Sequence, residues 1–280
     1  MDRVRVAYLG PAGTFTEEAL RASATSSLEE VPYPSIYETV MAVHERQAEL
    51  GIVPIENSLE GAVTTTLDLL AGDADDVRIA GEFVFPVRHC LVAREEIPLE
   101  RIERVVSHPQ ATAQCARFLR ERLPQAERAI AGSTAEAVRA LADSGPGVAA
   151  LGSRLAAELY ECVVLAEGVE DHPDNETRFI WLAPADAEPR PNPTKTTIVF
   201  WGFNDVSPGA LVDVLSELSS RGINLTKIES RPRRMGLGHY MFFADLEGST
   251  GEPRVAEALH ALAQRVQTMR VLGSYPTGPT

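Results

Sequence analysis

Ala183-Pro-Ala-Asp-Ala-Glu-Pro-Arg-Pro-Asn-Pro-Thr194 carries four of the chain's 19 prolines. Proline fixes φ and has no amide hydrogen, so a stretch this rich in it is neither helix interior nor central strand. It reads as a linker, and the patterns on its two sides differ. After it come a strand (KTTIVFWGF), a helix (PGALVDVLSELSSRG), two strands (NLTKIESRP, GHYMFFADLEG), a helix (EPRVAEALHALAQRV) and a last strand (MRVLGSYP). That order, β-α-β-β-α-β, is the ferredoxin-like module.

Before the linker, strands and helices alternate. Arg3–Leu9 is a strand, then GPAG leads to a helix near Thr14. Thr14 with Glu17, Ser35 with Glu38, and Ser133 with Glu136 are three Ser/Thr-x-x-Glu capping boxes, each opening a helix. Leu50–Ile55 is a strand, Ser58 opens a helix through TTTLDLLAG, and a helix starts near Pro109, a residue suited to the first helical position. This alternation predicts an α/β fold with a mainly parallel sheet and a ligand at the carboxyl ends of its strands.

Charge divides at the same place. The net charge is −14. Residues 1–193 hold 17 Arg and no Lys against 32 acidic residues, whereas residues 194–280 hold 9 basic and 8 acidic ones. The acidity argues against generic nucleic-acid binding, and local donors must hold any anionic ligand of the first domain. No run reaches the ~18 to 20 apolar residues of a membrane helix. The start, MDRVRVAYLG, has no signal-peptide pattern, so no membrane association and a cytoplasmic location are expected. Cys90, Cys115 and Cys162 are too scattered for a disulfide framework or a zinc site and read as reduced thiols.

Four polar clusters stand at element boundaries. GPAGTF (10–15) joins a strand to a helix whose free amides suit an anion, although Thr14 alone explains it as a cap. It is not a nucleotide P-loop, since no Gly-Lys-Ser/Thr follows. PIENSLEG (54–61) places Glu56, Asn57 and Ser58 at a strand's carboxyl end, where Asn57 or Ser58 can equally be a helix cap. SHPQA (107–111) repeats the geometry with Ser107, His108 and Gln110, and His108 there reads as a cap as readily as a ligand. Thr177-Arg178-Phe179 enters a strand behind the acidic run 171–176. In a regular strand Thr177 and Arg178 point to opposite faces.

In this order and at these intervals, GPAGTFTEEA, PIENSLEG, SHPQA and NETRF, with ESRP further on, resemble the prephenate dehydratase family along essentially the whole chain. The resemblance implies a two-lobed catalytic domain like a type II periplasmic binding protein over residues 1–183. Its first lobe would span about 1–76 and 165–182, its second about 77–164, with the site in the cleft between them. A linker (184–194) and an ACT regulatory domain (195–280) would follow. The implied reaction takes prephenate to phenylpyruvate, water and carbon dioxide, without metal or organic cofactor.

By resemblance Thr177 is the catalytic threonine, a donor to the leaving oxygen. Glu56 is a proton source if burial raises its pKa, or else only orients other groups. Arg178 anchors the pyruvyl carboxylate or braces the strand mouth. Gly13, Thr14, Asn57, Ser58, Ser107, Gln110 and Phe179 surround the substrate. Phenylalanine, the pathway end product, would bind the ACT domain near Gly209-Ala210-Leu211, Asn224-Leu225 and Glu229-Ser230-Arg231-Pro232, and pairing of ACT domains implies a homodimer or homotetramer. Arogenate dehydratase and a non-catalytic amino-acid sensor are the competing readings.

Overall fold

The computed structural model describes residues 3–203, 207–233 and 238–278; the extreme ends of the expected outer domains, residues 1–2 and 279–280, lie outside them. The first lobe contains β1 (Val4–Leu9), α1 (Phe15–Ser23), β2 (Leu28–Tyr33), α2 (Ile36–His44), β3 (Leu50–Asn57), β4 (Gly61–Ala62), α3 (Thr64–Ala71) and β5 (Val77–Pro86). The second contains β6 (Cys90–Ala93), β7 (Arg104–Ser107), α4 (Pro109–Gln114), α5 (Ala116–Arg122), β8 (Glu127–Ile130), α6 (Thr134–Arg139), β9 (Val148–Gly152), α7 (Arg154–Leu159) and β10 (Val163–Glu167). The chain then returns to the first lobe as β11 (Glu176–Pro184).

The first sheet runs β2-β1-β3-β11-β5, with β4 on β3; the second runs β10-β6-β9-β7-β8. Two connections, 87–89 and 168–175, therefore join two α/β lobes. The lobe boundaries differ from the expectation. β5 pairs with β11 and so belongs to the first lobe, and β10 pairs with β6 and so belongs to the second. The crossings fall about ten residues after 76 and just after 167. The first crossing is hidden because β5 and β6 are both strands and only three residues, 87–89, separate them.

The sheets are mixed rather than mainly parallel. β1 is parallel to β2 and β3, and β7 is parallel to β8 and β9, as β-α-β units require. The strands next to the crossings run the other way: β11 is antiparallel to β3 and β5, and β6 to β9 and β10. This reversal brings the start of β11 to the edge where β3 ends, with Thr177 opposite Asn57.

All three N-caps form, with the Glu17, Glu38 and Glu136 amides donating to the hydroxyls of Thr14, Ser35 and Ser133, while the Glu17 and Glu136 carboxylates accept the amides of Gly13 and Gly132, one residue before the cap. The helix expected from Ser58 begins later, at Thr64. Asn57 Oδ1 accepts the amides of Leu59 and Glu60 and turns the chain, and Gly61 at φ +80° folds it back on β3.

The third unit follows the expected order: β12 (Lys195–Trp201), α8 (Ala210–Ser219), β13 (Leu225–Pro232), β14 (Tyr240–Glu247), α9 (Pro253–Ala263) and β15 (Thr268–Tyr275), in a sheet β13-β14-β12-β15. One sheet face buries Ile198, Phe200, Ala244 and Leu246 under α8 and α9. The other presents Val199, Met241, Phe243, Leu272 and Tyr275 to a core shared with Val53, Ile55, Ile79, Ile180 and Leu182 of the first lobe. A continuous apolar core thus fastens the third unit to that lobe. At Gly273 a side chain would collide with the Ile79 carbonyl, so only glycine lets β15 and β5 approach this closely.

Candidate active site

A cavity of about 300 Å³ opens between the lobes. Its walls come from β1, β3 and β11 of the first lobe and from the starts of α1, α4 and α6, with Leu9, Pro54, Val87 and Phe179 as apolar surface. Thr14 to Thr16, His108 to Ala111 and Gly132 to Thr134 all lie at helix beginnings on this wall, where main-chain amides have no partner within the helix. Among the described residues no Asp, Glu, Lys or Arg lines it.

Thr177 is 8% exposed and faces the cavity. Its Oγ1 accepts from Asn57 Nδ2 at 2.9 Å, and among the described residues nothing accepts its own proton. The orientation of Asn57 is fixed by the main chain, because its Oδ1 takes the two amides of the turn (2.9 and 3.1 Å). Its Nδ2 also donates to Asn175 Oδ1 at 2.8 Å. Asn175 Nδ2 donates to Gln114 Oε1 at 3.1 Å, and His89 Nε2 meets the same oxygen at 3.1 Å. A neutral hydrogen-bonded chain thus runs from His89 to Thr177 across both lobes. Burial holds His89 below the ordinary histidine range, which favours the neutral imidazole.

The sequence candidates separate. Thr14, Asn57, Gln110, Thr177 and Phe179 line the cavity, as does His108. Ser107 does not; its hydroxyl is buried and donates to the Leu151 carbonyl. Ser58 bonds the incoming strand through Asp174 O and the Glu176 amide. Gly13, at φ +88°, donates to Glu17 Oε2 and accepts from Ser153 Oγ, so it ties α1 to the second lobe without touching the cavity.

Glu56 and Arg178 lie on the opposite side from the cavity. Strand alternation places Glu56 opposite Arg178 and Asn57 opposite Thr177, so only the second pair faces the cleft. Arg178 Nη1 pairs with Asp245 Oδ2 of β14 at 2.5 Å and lies 3.5 Å from Glu82 Oε2; its Nε lies 3.5 Å from Glu56 Oε2. Glu56 also pairs with Lys227 of β13 at 2.7 Å, and Glu82 with Lys195 of β12. Burial opposes the Arg178 cation, but Asp245, Tyr275 and Glu82 together outweigh it and keep the guanidinium charged. Thr197 donates to Asp245 at 2.7 Å and meets Tyr275 Oη at 2.6 Å. Arg178 thus lies in the contact between the first lobe and the third unit, outside the cleft lining, and Glu56 stands beside it there.

Sequence reasoning missed His89, Gln114 and Asn175. Gln114 lies one helical turn beyond Gln110, and Asn175 lies two residues before Thr177, so periodicity signals both. His89 carries no such signal. None of the cysteines is an activated nucleophile: burial pushes Cys90 up to about 11 and raises Cys115 and Cys162 as well. Among the described residues no group of three or more His, Cys, Asp or Glu is arranged to hold a metal ion, and no helix is long and apolar enough to cross a membrane.

In the third unit, Gly209, Ala210 and Leu211 line a second cavity, of about 400 Å³, with Phe203, Tyr240 and Phe242. Gly209 sits at φ +85° just before α8, a conformation that suits glycine. Ser230 is opposite Phe242 in register and shares its face. Arg231 instead turns to the catalytic side and forms a bidentate pair with Asp68 of α3 (3.2 and 2.8 Å), as its opposite Met241 faces the shared core. Glu229, opposite Phe243, lies on that same side. Pro232 lines a separate cavity at the junction with α3. Asn224 bonds Glu247, and Leu225 packs into the core beneath the helices. The residues around ESRP thus divide between the two faces of the sheet.

Residues 6–187 match the family model described as prephenate dehydratase, and residues 196–264 match the ACT domain. The chain is 42% identical over 276 residues to a bifunctional chorismate mutase/prephenate dehydratase of Aquifex aeolicus, covering 98% of this chain and 74% of that protein. It superposes with a TM-score of 0.88 on the prephenate dehydratase of Arthrobacter aurescens solved in complex with L-Phe, at 39% identity, covering 97% of this chain and 89% of that one. A TM-score of 0.87 and 32% identity relate it to GqqA, described as a novel type of quorum quenching acylase, over 98% of both chains. The match to the dehydratase model spans the two lobes and their cleft, and the chain belongs to the prephenate dehydratase family.

Proposed function

We propose that this protein is a lyase that converts prephenate to phenylpyruvate, water and carbon dioxide, with phenylalanine acting through the ACT domain. The observation that carries the reading is the state of the Thr177 hydroxyl. Asn57 occupies its acceptor side, so its proton is free to point at a ligand. In the reaction the ring C–O bond breaks as the C–CO2 bond gives up its electron pair to the aromatising ring. Thr177 donates a hydrogen bond to the departing oxygen. Its pKa is far too high for it to act as a free acid, so it stabilises the developing charge, and the departing hydroxide becomes water by taking a proton from solvent.

The rest of the wall fits a dianionic substrate in an unusual way. The helix beginnings and the amides of Gln110 and Gln114 offer neutral donors to carboxylates. Among the described residues no cation lines the cavity to clamp the carboxylate that must leave, which would favour the ground state over the transition state. Among the described residues no acidic side chain lines the cavity itself, and Glu60 at its rim is engaged with Gln114, which supports prephenate over arogenate. A purely sensory role gives no reason for a threonine held as a donor. The likeness to GqqA raises acyl hydrolysis as a second reading. That chemistry needs an activated nucleophile, and here Thr177 is held by an amide while His89 is engaged by Gln114.

Regulation is supported by the cavity at Gly209 to Leu211 and by the L-Phe complex of the Arthrobacter aurescens relative. We assign phenylalanine to this cavity. Val212 beside it is 65% exposed, an apolar surface that suits a second subunit, and a homodimer or homotetramer in the cytoplasm is proposed. The deciding experiment supplies purified protein with prephenate, with arogenate, and with an N-acyl amine, each with and without phenylalanine. Phenylpyruvate formed from prephenate and suppressed by phenylalanine supports the reading. Release of amine from the acyl substrate with no action on prephenate overturns it.

A further inference from the structure

His89 is 2% exposed and sits in the first connection between the lobes. Its amide donates to the buried carboxylate of Glu170 in the return connection at 2.9 Å, and its ring meets Phe15 edge-on at 5.2 Å. The imidazole belongs to the cavity wall, yet no sequence motif marks it.

The polarity of the chain ending at His89 can be worked out from the main chain alone. Asn57 cannot flip, because two backbone amides hold its oxygen. Asn175 must then turn its oxygen to Asn57 and its NH2 to Gln114. Gln114 must answer with Oε1, and the ring nitrogen 3.1 Å from that oxygen must carry the proton. His89 is thereby fixed as the Nε2–H tautomer. Its Nδ1 is buried without a partner, which a bare lone pair tolerates better than a second N–H would. The NH2 end of Gln114 is left with one long contact, 3.4 Å, to Glu60 Oε1 at the rim.

We propose that His89 is a positioning residue for substrate binding: with Asn175 it grips the oxygen of Gln114, so that the Gln114 NH2 is presented to the cleft as a donor to a substrate carboxylate. The proposal rests on the dehydratase reading above. It assigns His89 no contact with the reacting atoms. A carboxylate that persists through the reaction is bound alike in ground and transition states, so the effect falls on KM more than on kcat.

The test compares wild type, His89→Phe, His89→Gln, Gln114→Leu and His89→Phe/Gln114→Leu in prephenate turnover. Phe keeps the ring against Phe15 but has no donor, and Gln keeps a donor without the ring. His89→Phe is expected to raise KM ~10-fold with kcat within ~3-fold, the scale of one lost hydrogen bond. His89→Gln should recover most of that loss. Gln114→Leu should raise KM at least as much, and adding His89→Phe to it should cost less than ~2-fold more, since a residue that acts only through another is not additive with it. Additive losses, an unchanged KM in His89→Phe, or no recovery in His89→Gln would each overturn the proposal. Should His89→Phe fail to fold, His89→Gln decides: KM within ~3-fold of wild type supports the proposal and a ~10-fold rise refutes it. A wild-type protein inert towards prephenate would refute the dehydratase reading instead. The contact itself would still be read from non-additive unfolding midpoints of the single and double variants.

Discussion

Thr177 and Arg178 are neighbours in one strand and work in opposite environments. The Thr177 side of β11 faces a cleft lined by side-chain amides, hydroxyls and imidazoles, with no Asp, Glu, Lys or Arg among the described residues. The Arg178 side faces the ACT sheet across three cations and three anions: Arg178, Lys195 and Lys227 against Glu56, Glu82 and Asp245. The difference shows what each face is for. A neutral network can be fixed in hydrogen-bond direction without stabilising the carboxylate that must leave. Buried charges fix position strongly but tolerate no missing partner. The fold keeps its strong electrostatics one residue away from the chemistry.

Breaking the charged face should produce the largest effect. Arg178→Leu leaves Asp245 and Glu82, which are almost fully buried, without their shared cation. Destabilisation of about 3–5 kcal/mol is expected in denaturant unfolding, as for other buried pairs cut on one side. Loss of only a few tenths would mean that Lys195 and Lys227 already satisfy the cluster. On the neutral face, Thr177→Ala should cut turnover by ~100-fold or more while unfolding changes by only about 1 kcal/mol. Together the two variants test the division directly: one is expected to lose stability first, the other catalysis. A Thr177→Ala enzyme with near-normal turnover would remove the hydroxyl from the mechanism.

Strand alternation explains how much of this division was legible in the sequence. It already separates Thr177 from Arg178, and the same rule separates Glu56 from Asn57. What it cannot say is which face looks into the cleft, because that depends on where the ACT sheet docks. The shared core that decides it joins Val53 and Ile180 to Phe243 and Tyr275, residues far apart in the chain. Ser107 was misleading for a similar reason, since a hydroxyl at a strand end serves the sheet as readily as a ligand. The β-α-β-β-α-β order and the linker were plain from proline content and periodicity. The lobe crossing after β5 was not, because only the short Val87-Arg88-His89 segment separates two apolar strands and VFPVRHCLVA reads as one strand-rich stretch.

A smaller effect is expected where the two faces communicate. Asp245→Asn keeps an acceptor for Thr197 but removes the ACT domain's anion from Arg178, which retains Glu82 and Glu56. If the ACT domain speaks to the cleft through this contact, the phenylalanine concentration for half-inhibition should rise ~3- to 10-fold, an ordinary coupling energy, with little change in uninhibited turnover. An unchanged half-inhibition would direct attention to another link across the domains, between Arg231 and Asp68.

The smallest effect tests whether the cleft face is as neutral as its hydrogen bonds require. Burial lowers the pKa of His89, so the folded protein resists the proton that an unfolded chain accepts near pH ~6.5. Above that pH both states are neutral and nothing is lost. As pH falls below it, the unfolded state gains a proton first. Stability then declines until the folded His89 protonates too, by at most about 1.4 kcal/mol per pH unit from this one group. His89→Gln abolishes the contribution. Measured from pH 7.5 to 5.5, the stability of the wild type should therefore fall more steeply than that of His89→Gln, and the two curves should run parallel above ~6.5. Parallel curves throughout would mean that His89 takes up its proton as readily folded as unfolded. An imidazolium would then stand in the cleft wall, and the contrast with the Arg178 face would be one of degree.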